Sequence, residues 1–392
     1  MAEGARVQIA HVKESAWGTP SGTTYTKDRV RGSAAGALAR STLRSGEWRS
    51  DRGVASGRGG LKRPTFGLPF ELSYGSQDDF LESVCRSAWA AAGTPVTGLS
   101  TTVVAGTTNT MAATGIGAGL VAGDWIKVAG FTGGYVANNG FFKVTVATAN
   151  QITLGEAKDV AGASTLAACT SQTGISVTKM GTLVSGTTEK SIAFEKGNLD
   201  VPAYRQFLGG VADRLSLAFA PDQLVTGQFD FVCKSMNGPQ AGAFAAGYSG
   251  PTTTKPIGAN DALAVLRMDG VPTAIVSALS LNLVNGARPV DSVFRADPYR
   301  IAVGQSNLSG EMTLHFVDTS FWTKALAETR VSLGLVLMDP DGATGYAIDI
   351  PRLFIDVPQD QEAEEHITLR VPFQVEYDTT TGLVNWKWNK LA

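Results

Sequence analysis

The chain has 392 residues, enough for two or three domains, and only 17% of them are charged. Its 45 glycines and 43% hydrophobic residues predict a soluble protein rich in β-strands and turns. The sequence contains no apolar run long enough to cross a membrane and no signal-peptide core, which predicts a protein that acts without export. These properties argue against a helical membrane protein.

The net charge of −2 hides a strong asymmetry along the chain. Residues 1–66 carry 12 Lys and Arg against 5 Asp and Glu, a balance of +7, whereas the remainder carries 21 against 30, a balance of −9. Opposite charges on separate parts of one surface favour contacts between copies of the same chain. The pattern therefore predicts subunits that dock head to tail.

The first unusual segment is residues 31–63, which are rich in Gly, Ser and Arg. Their composition is too poor in apolar residues to pack a core, and it predicts a long loop without regular structure. Loops of this length in compact domains are usually functional. The alternative is a disordered basic arm.

A strand followed at once by a helix is predicted over residues 65–91. Apolar and polar side chains alternate up to Tyr74, which is the period of a half-buried strand. Ser76 is expected to cap the helix, and Asp78 and Asp79 favour its positive N-terminus. The helix has an apolar stripe that comprises Phe80, Leu81, Val84, Cys85, Ala88 and Trp89.

Residues 94–175 differ in composition from what precedes them, because Thr, Ala, Gly and Val dominate. Short apolar runs at 125–128, 141–146 and 152–154 predict strands, and Gly- and Asn-rich segments between them predict turns. This region is interpreted as a small all-β domain inserted into a host domain. Its few charges favour a surface decoration over a catalytic unit.

The order of elements then repeats. A hairpin is predicted at 211–233, and residues 236–260 have the composition of a linker. A second Arg-bearing loop, 285–307, leads into a second strand and helix at 309–330, with Thr319 or Ser320 as the cap and Phe321, Trp322, Ala325 and Leu326 as the apolar stripe. Later strands are predicted at 331–338 and 346–350, and a closing pair at 366–377 and 383–388.

Both halves thus run strand, Arg-bearing loop, strand, helix, two strands, hairpin, which predicts an internal duplication with two domains of ordinary size. Identity between the copies is low, so the prediction rests on element order. The expected division is a discontinuous first domain of residues 1–93 and 176–235, the insert 94–175, the linker 236–260 and a second domain 261–392.

Motifs for covalent, nucleotide or metal chemistry are weak. Residues 115–119 lack the third glycine of a dinucleotide fingerprint, and residues 339–342 lack the final glutamate of a calcium loop. Cys85, Cys169 and Cys233 are widely spaced in apolar patterns and predict buried thiols. We therefore predict no enzyme and no catalytic, cofactor-binding or metal residue.

The layout resembles the tail tube proteins of long non-contractile-tailed (siphovirus-type) bacteriophages. The segments that carry the resemblance are the Arg-rich loop before FGLPFELSYGSQDDFLESVCRSAW, DWIKVAGF with NNGFFKV, SIAFEKG, SGEMTLHFVDTSFWTKAL, and LGLVLMDPDGATGYAIDIPRL. The resemblance implies a mainly β fold with two duplicated tail-tube β-sandwich or barrel domains, each with one flanking helix, plus the small inserted domain.

The same resemblance implies a function. Subunits would form stacked rings whose joined strands enclose a lumen for double-stranded DNA, which contacts the wall without sequence specificity. The duplication favours a trimeric ring with pseudo-sixfold symmetry, and a hexamer is the alternative. Expected partners are further copies of the chain and the tape measure, tip and terminator proteins, with no cofactor and no membrane; the protein would be assembled in the bacterial cytoplasm and end in the virion tail.

Two sets of residues follow from this expectation. A conducting wall should be polar without being strongly basic, because DNA binds dense Lys and Arg. The lumen-facing candidates lie on the polar faces of the predicted strands: Glu71, Ser73, Ser216, Gln228, Asp230, Ser280, Asn282, Glu311, Thr313, Thr368, Gln374 and Glu376. The candidates for contact between rings are Arg40, Arg44, Arg49, Arg52, Arg58, Arg288, Arg295 and Arg300.

Arg214 and Arg370 share the polar faces and are expected to pair with acids across strands. Two other functions remain open at this point. One is a different tail or secretion-tube component, such as a terminator or decoration protein. The other is a carbohydrate-binding β adhesin that uses the insert, although the insert has few aromatic residues for a sugar platform.

Overall fold

The computed structural model describes residues 6–32, 34–48, 50–53, 56–105, 109–157, 166–259, 265–273, 275–339, 342–362, 367–378 and 385–392. Across these residues the chain is mainly β, as predicted, with two short α-helices. None of the helices in these ranges is both long enough and apolar enough to span a membrane.

The first part of the chain contains five strands and a helix: β1 (Val7–Ala16), β2 (Thr19–Pro20), β3 (Thr24–Lys27), β4 (Ala35–Leu43), β5 (Arg58–Glu71) and α1 (Asp78–Cys85). Six strands follow: β6 (Val96–Val104), β7 (Asn109–Ala112), β8 (Trp125–Ala129), β9 (Gly140–Thr148), β10 (Gln151–Ala157) and β11 (Cys169–Lys179). The next six are β12 (Gly181–Val184), β13 (Ile192–Asn198), β14 (Ala203–Phe219), β15 (Thr226–Val232), β16 (Ser235–Gln240) and β17 (Gly247–Ser249).

The last part contains eleven strands and the second helix. The elements before the helix are β18 (Val265–Met268), β19 (Val271–Pro272), β20 (Val276–Val284), β21 (Arg288–Val290), β22 (Arg300–Ala302) and β23 (Asn307–His315). Those that follow are α2 (Ser320–Leu326), β24 (Val331–Met338), β25 (Gly345–Ile355), β26 (Gln359–Glu362), β27 (Ile367–Val375) and β28 (Lys387–Leu391).

One antiparallel sheet of eight strands, here called the wide sheet, runs through both halves of the chain. Its strand order is β4, β5, β15, β14, β20, β23, β27, β26. The pairing of β14 with β20 joins the two halves, because Leu215 lies opposite Leu283 and Leu217 opposite Leu281. The wide sheet is therefore a single surface built from distant parts of the sequence.

Two smaller sheets form the second layer. The first small sheet has the order β17, β3, β1, β13, β14, β16, and the second has the order β12, β28, β25, β24, β18, β19. Strand β14 belongs to the first small sheet in its N-terminal half and to the wide sheet in its C-terminal half. The layers are thus connected by continuous strands.

The layers enclose one continuous apolar core, to which both small sheets and both helices contribute. Phe66 of the wide sheet stacks on Phe194 of the first small sheet, with ring centroids 4.4 Å apart. The ring centroids of Phe80 in α1 and Phe229 are 5.5 Å apart. Burying one such ring stabilises the fold by about 1.5–3 kcal/mol. The alternation read from residues 66–72 is confirmed, because all four apolar residues there are buried.

A strand followed by a helix is present both at 65–91 and at 309–330, as predicted, with shifted boundaries. Helix α1 has Gln77, not Ser76, at its N-cap position, so the predicted cap is wrong. The Ser76 hydroxyl lies 2.6 Å from the Ser73 hydroxyl instead. The helix ends at Cys85 because Arg86 adopts a left-handed backbone with φ of 53°, which leaves Trp89 beyond it. Helix α2 has Thr319 at its N-cap position, one of the two predicted residues.

Three other expectations differ from the structure. Residues 31–63 are not a loop without regular structure, since β4 pairs with β5 from Ala35 opposite Gly67 to Leu43 opposite Arg58. The described part of 236–260 contains β16 and β17, which pair with β14 and β3. Within the described residues, β28 pairs with β25 and β12 rather than with β27, so the predicted closing pair is wrong.

Strands β6 to β11 form a closed six-stranded barrel with the order β10, β7, β6, β11, β8, β9. Its interior is apolar and includes Ile126, Phe142 and Ile175. The strands predicted at 125–128, 141–146 and 152–154 are confirmed as parts of β8, β9 and β10.

The barrel rests on the second small sheet through buried contacts. Trp125 packs with Met338 and Leu391, and its indole N–H donates a 3.0 Å hydrogen bond to Asp349 Oδ2. Lys143 Nζ lies 2.7 Å from Asp349 Oδ1, and Lys387 Nζ lies 3.0 Å from Asp124 Oδ1. The opposite face of β24 and β25 belongs to the main core, so the barrel lies on the side of this layer away from the wide sheet.

Candidate functional site

The outer face of the wide sheet is polar across both halves of the chain. Strand register places one row of side chains side by side, in the order Pro69, Gln228, Ser216, Asn282, Ser309 and Gln374. The next row contains Glu71, Thr226, Ala218, Ser280, Glu311 and Pro372. Successive side chains of a strand alternate between faces, so the residues between these rows point into the core.

Ten of the twelve predicted lumen-facing residues share this polar face and are exposed or half-buried. They are Glu71, Ser216, Gln228, Asp230, Ser280, Asn282, Glu311, Thr313, Thr368 and Gln374. The sequence alone placed them in separate hairpins. The structure brings them together on one surface because the two halves pair edge to edge.

The other two candidates do not lie on the open polar face. Ser73 is completely buried, and its backbone N–H donates to the Gln77 side chain. Glu376 lies beyond the end of β27, where its carboxylate accepts hydrogen bonds from Arg330 and from Arg352 at 2.8 to 2.9 Å. The Arg330 guanidinium, assisted by Arg352, lowers the pKa of Glu376 despite some burial.

Charges on the polar face are paired rather than concentrated. Arg370 forms an ion pair with Glu311, as expected from their cross-strand position, and this contact raises the pKa of Arg370. Arg214 lies opposite Asp230 in the sheet register, and Gln228 donates a 2.6 Å hydrogen bond to the same carboxylate. The face therefore combines neutral polar groups with mutually compensated charges.

Both Arg-bearing segments project from one end of the wide sheet. Beyond the pairing of β5 with β15, which ends at Thr65, the β4–β5 hairpin continues as a protrusion, here called the long arm, whose described residues are 38–48, 50–53 and 56–64. Residues 288–302 form a second protrusion, the short arm, in which β21 pairs with β22. The described inter-ring candidates on both arms are exposed: Arg40, Arg44, Arg52, Arg58, Arg288, Arg295 and Arg300; Arg49 lies outside the described residues.

The two arms contact each other within the chain, which the sequence did not reveal. Arg63 Nη2 lies 2.6 Å from Asp291 Oδ2, and the Lys62 backbone N–H donates a 2.9 Å hydrogen bond to the Ala296 carbonyl. Each arm also exposes an aromatic side chain completely, Trp48 on the long arm and Phe294 on the short arm. An aromatic residue within a polar, Arg-bearing segment was the available signal for these two positions.

Metal-ligating and thiol side chains are dispersed across the residues that the structure describes. Those residues contain no group of three His, Cys, Asp or Glu side chains placed to hold a metal ion. Cys85, Cys169 and Cys233 are buried free thiols, as predicted. Burial raises the pKa of the Cys85 thiol to about 12, so the reactive thiolate is suppressed.

A wide sheet with a polar face, outer strands that each pair on one side and protruding arms offers surfaces through which further subunits could join the described residues. The family model described as "Phage tail tube protein" matches residues 4–375 of the chain. The chain therefore belongs to the phage tail tube protein family, whose members are structural components of the virion tail. No curated protein matches the chain.

Proposed function

We propose that this protein, without catalytic activity of its own, assembles into stacked rings that form the tail tube and conduct double-stranded DNA into the host cell. The observation that carries the proposal is the eight-stranded wide sheet, which has one polar face and one core face. Within the described residues, its outer strands β4 and β26 each pair on one side only. Unpaired strand edges favour joining to another chain.

Ring closure follows if β26 of one copy joins β4 of the next. Three copies then supply 24 strands, because each wide sheet has eight. At a strand spacing of ~4.8 Å and a tilt of about 40°, such a barrel has a diameter of roughly 50 Å. Six copies would double this diameter, so the eight-stranded unit favours the trimer with pseudo-sixfold symmetry.

The polar face is the proposed lumen wall. DNA presents a negative charge every ~1.7 Å of its axis and binds strongly to dense Lys and Arg. This surface presents neutral polar side chains, among them Gln228, Ser216, Asn282 and Gln374. Its arginines lie opposite an acid or are paired with one, so the moving duplex meets few strong electrostatic contacts. The small sheets and helices would then lie outside this wall, and the barrel farthest out.

The arms are proposed to join successive rings. Both leave the same end of the wide sheet and carry exposed arginines, while the rest of the chain is acidic. Head-to-tail contacts between unlike surfaces propagate without limit along an axis, which suits a tube. The tube ends would meet other tail proteins, among them the tape measure, the tip and the terminator.

Electron microscopy of the purified protein tests the proposal. Stacked rings or tubes with three-fold class averages in end-on views are the expected result. Single rings that never stack at any concentration would favour a terminator instead, and a protein that stays monomeric under all conditions would contradict assembly altogether.

DNA conduction needs a separate test in assembled phage. Replacing Ser216, Asn282 and Gln374 together by Arg should leave tube assembly intact but slow DNA ejection, because every subunit would then add three cations to the wall. The matched control replaces the same three residues by Thr. Equal ejection rates for the two triple variants would contradict a lumen position for this face.

A further inference from the structure

We infer that Phe294 at the tip of the short arm inserts into an apolar groove at the opposite end of the wide sheet of a second copy in the next ring. The inference rests on the proposed stacking of rings and specifies the residues that make the contact. The groove is lined by Phe219, Pro221, Val276, Leu279, Leu335 and Leu337, among others.

Phe294 combines two features that cost free energy in an isolated subunit. Its side chain is fully exposed, and the neighbouring Val293 is 75% exposed. Its backbone has φ of 68°, a left-handed conformation that is unusual for a bulky residue. Strained and exposed apolar residues concentrate where a protein contacts a partner. The exposure is explained if the ring is buried in the assembled tube.

The short arm holds Phe294 in a fixed position. On one side, Asp291 forms an ion pair of 2.6 Å with Arg63 of the long arm. On the other side, the Ala296 carbonyl accepts a 2.9 Å hydrogen bond from the Lys62 backbone. Because both flanks of Phe294 are attached to the long arm, little conformational entropy remains to be lost on docking.

The groove has the chemistry and size that a phenyl ring requires. It lies where the wide sheet and the second small sheet separate, and its volume is about 380 Å³. Phe219 and Leu279 come from the wide sheet, and Leu335 and Leu337 come from β24. A ring that enters this space would extend the apolar core shared by the two layers.

The short arm with Phe294 and the apolar groove lie at opposite ends of the wide sheet. Strand β20 begins at Val276, beside the groove, and ends at Val284, from which the chain continues into the short arm. Eight residue steps of strand correspond to about 26 Å. A copy displaced along the strand direction therefore presents its groove to the arms of its neighbour, which is the geometry of a head-to-tail stack.

Charge complements the apolar contact. The arms carry exposed arginines, including Arg288, Arg295 and Arg300. At the groove end, Asp222 is exposed in the turn that contains Pro221, and Asp318 is exposed just after β23. The arginines around Phe294 and the carboxylates around the groove attract each other, whereas two arms would bring arginines together. Charge therefore favours contact between an arm and a groove over contact between two arms.

The first experiment compares tube formation by wild type and Phe294→Gly. Glycine removes the ring and suits the left-handed backbone, so the unfolding temperature should stay equal or rise while stacking weakens. We expect the protein concentration needed for tubes to increase at least about tenfold. A concentration within twofold of wild type would overturn the inference. Val136→Gly, at an exposed site on the barrel, is the control for loss of an exposed apolar side chain.

Cross-linking identifies the partner surface. The three native cysteines are buried, so Val293→Cys, which keeps the Phe294 ring, combined with Ala220→Cys in the groove lining adds one designed reactive pair. Oxidation of assembled tubes should give a ladder of disulfide-linked chains from the double variant. Val293→Cys combined with Val136→Cys should give none. Absence of the ladder from tubes that do form would overturn the groove contact alone, whereas failure of wild type to form tubes would overturn the proposed function as well.

Discussion

His11 lies buried between two carboxylates beside helix α1. Its Nδ1 is 2.6 Å from Asp28 Oδ1, and its Nε2 is 3.3 Å from Asp79 Oδ2. Burial disfavours the charged ring, but Asp28 and Asp79 outweigh burial and raise the pKa of His11 to about 9. Against its own burial, Asp79 is stabilised as a carboxylate by His11 and Lys13, which lower its pKa to about 2. At neutral pH the imidazolium therefore holds β1 against the end of β3 and the start of α1.

This cluster predicts a pH-dependent stability. The folded-state pKa of His11 lies above its unfolded value of 6.5, so its contribution is fully present below pH 6.5 and is lost as pH rises through about 9. We expect His11→Gln to cost about 1–3 kcal/mol of unfolding free energy at pH 6 and much less at pH 9.5. Urea unfolding at both pH values measures this difference. His315→Gln, at an exposed histidine, is the control, and parallel pH profiles for wild type and His11→Gln would contradict the prediction.

Asp349 is one of the residues that join the barrel to the second small sheet. It receives hydrogen bonds from Trp125 and Asn389, both at 3.0 Å, and pairs with Lys143. Asp349→Ala removes the acceptor of the buried Trp125 N–H together with the ion pair to Lys143, so we expect a loss of about 2–4 kcal/mol. Thermal unfolding and hydrogen exchange at the barrel contact measure it. Asp360→Ala, at an exposed acid on β26, should cost little, and equal losses would contradict a special role for Asp349.

Asp349 also illustrates what the sequence could not provide. Ile348 and Ile350 flank it in an alternating pattern, which places Asp349 on the other face of β25. Alternation usually indicates that such a polar face meets solvent. Here both faces of β25 are covered, one by the main core and the other by the barrel. The partner in the barrel is more than 200 positions away, and no local pattern reports such a contact.

Strand β4 shows the same limit for a whole element. Its sequence, AGALARSTL, has the small residues of a loop. Yet a side chain at Gly36 would place Cβ within 2.7 Å of the Phe207 ring, so a small residue is what close packing against the core requires. The strong amphipathic patterns of β5 and α1, by contrast, are local, and the sequence predicted both elements correctly apart from their ends.

We predict that shortening the long arm impairs the stacking of rings and leaves folding of the subunit unchanged. Leu43 and Arg58 are paired, so residues 44–57 can be replaced by an Asn-Gly turn without changing the strand register. We expect this variant to fold with an unfolding temperature within a few degrees of wild type, because the described residues of the replaced segment lie outside the core clusters. Rings should form while tubes do not. Full-length tubes seen by electron microscopy would contradict the stacking role of the long arm.

The two halves of the chain together form the wide sheet, and this was the property of the fold that the sequence predicted least well. Element order predicted a duplication, but it did not predict that β14 pairs with β20 or that the C-terminal β28 pairs with β12. Such pairings depend on which strand edges meet after folding. Ten lumen candidates were nevertheless placed on one face, because alternation within each strand is a local property that survives any choice of neighbours.

The barrel provides the last prediction. Val96 and Val177 are opposite each other in neighbouring strands, so residues 96–179 can be excised and the ends joined by a short linker. Because the barrel rests on the side of the second small sheet away from the polar face, we expect the shortened protein to form narrower tubes with an unchanged lumen. Excision uncovers an apolar patch that includes Val336 and Met338, so the variant should carry Val336→Thr and Met338→Gln.

The same excision without these two substitutions is the matched control, and it should aggregate through the uncovered apolar patch. Circular dichroism establishes that the substituted variant is folded, and electron microscopy measures the outer and inner diameters of its assemblies. A folded variant that makes no rings would show that the barrel is part of the ring contact. A changed inner diameter would show that the wide sheet is not the lumen wall, since the excised residues contribute none of its strands.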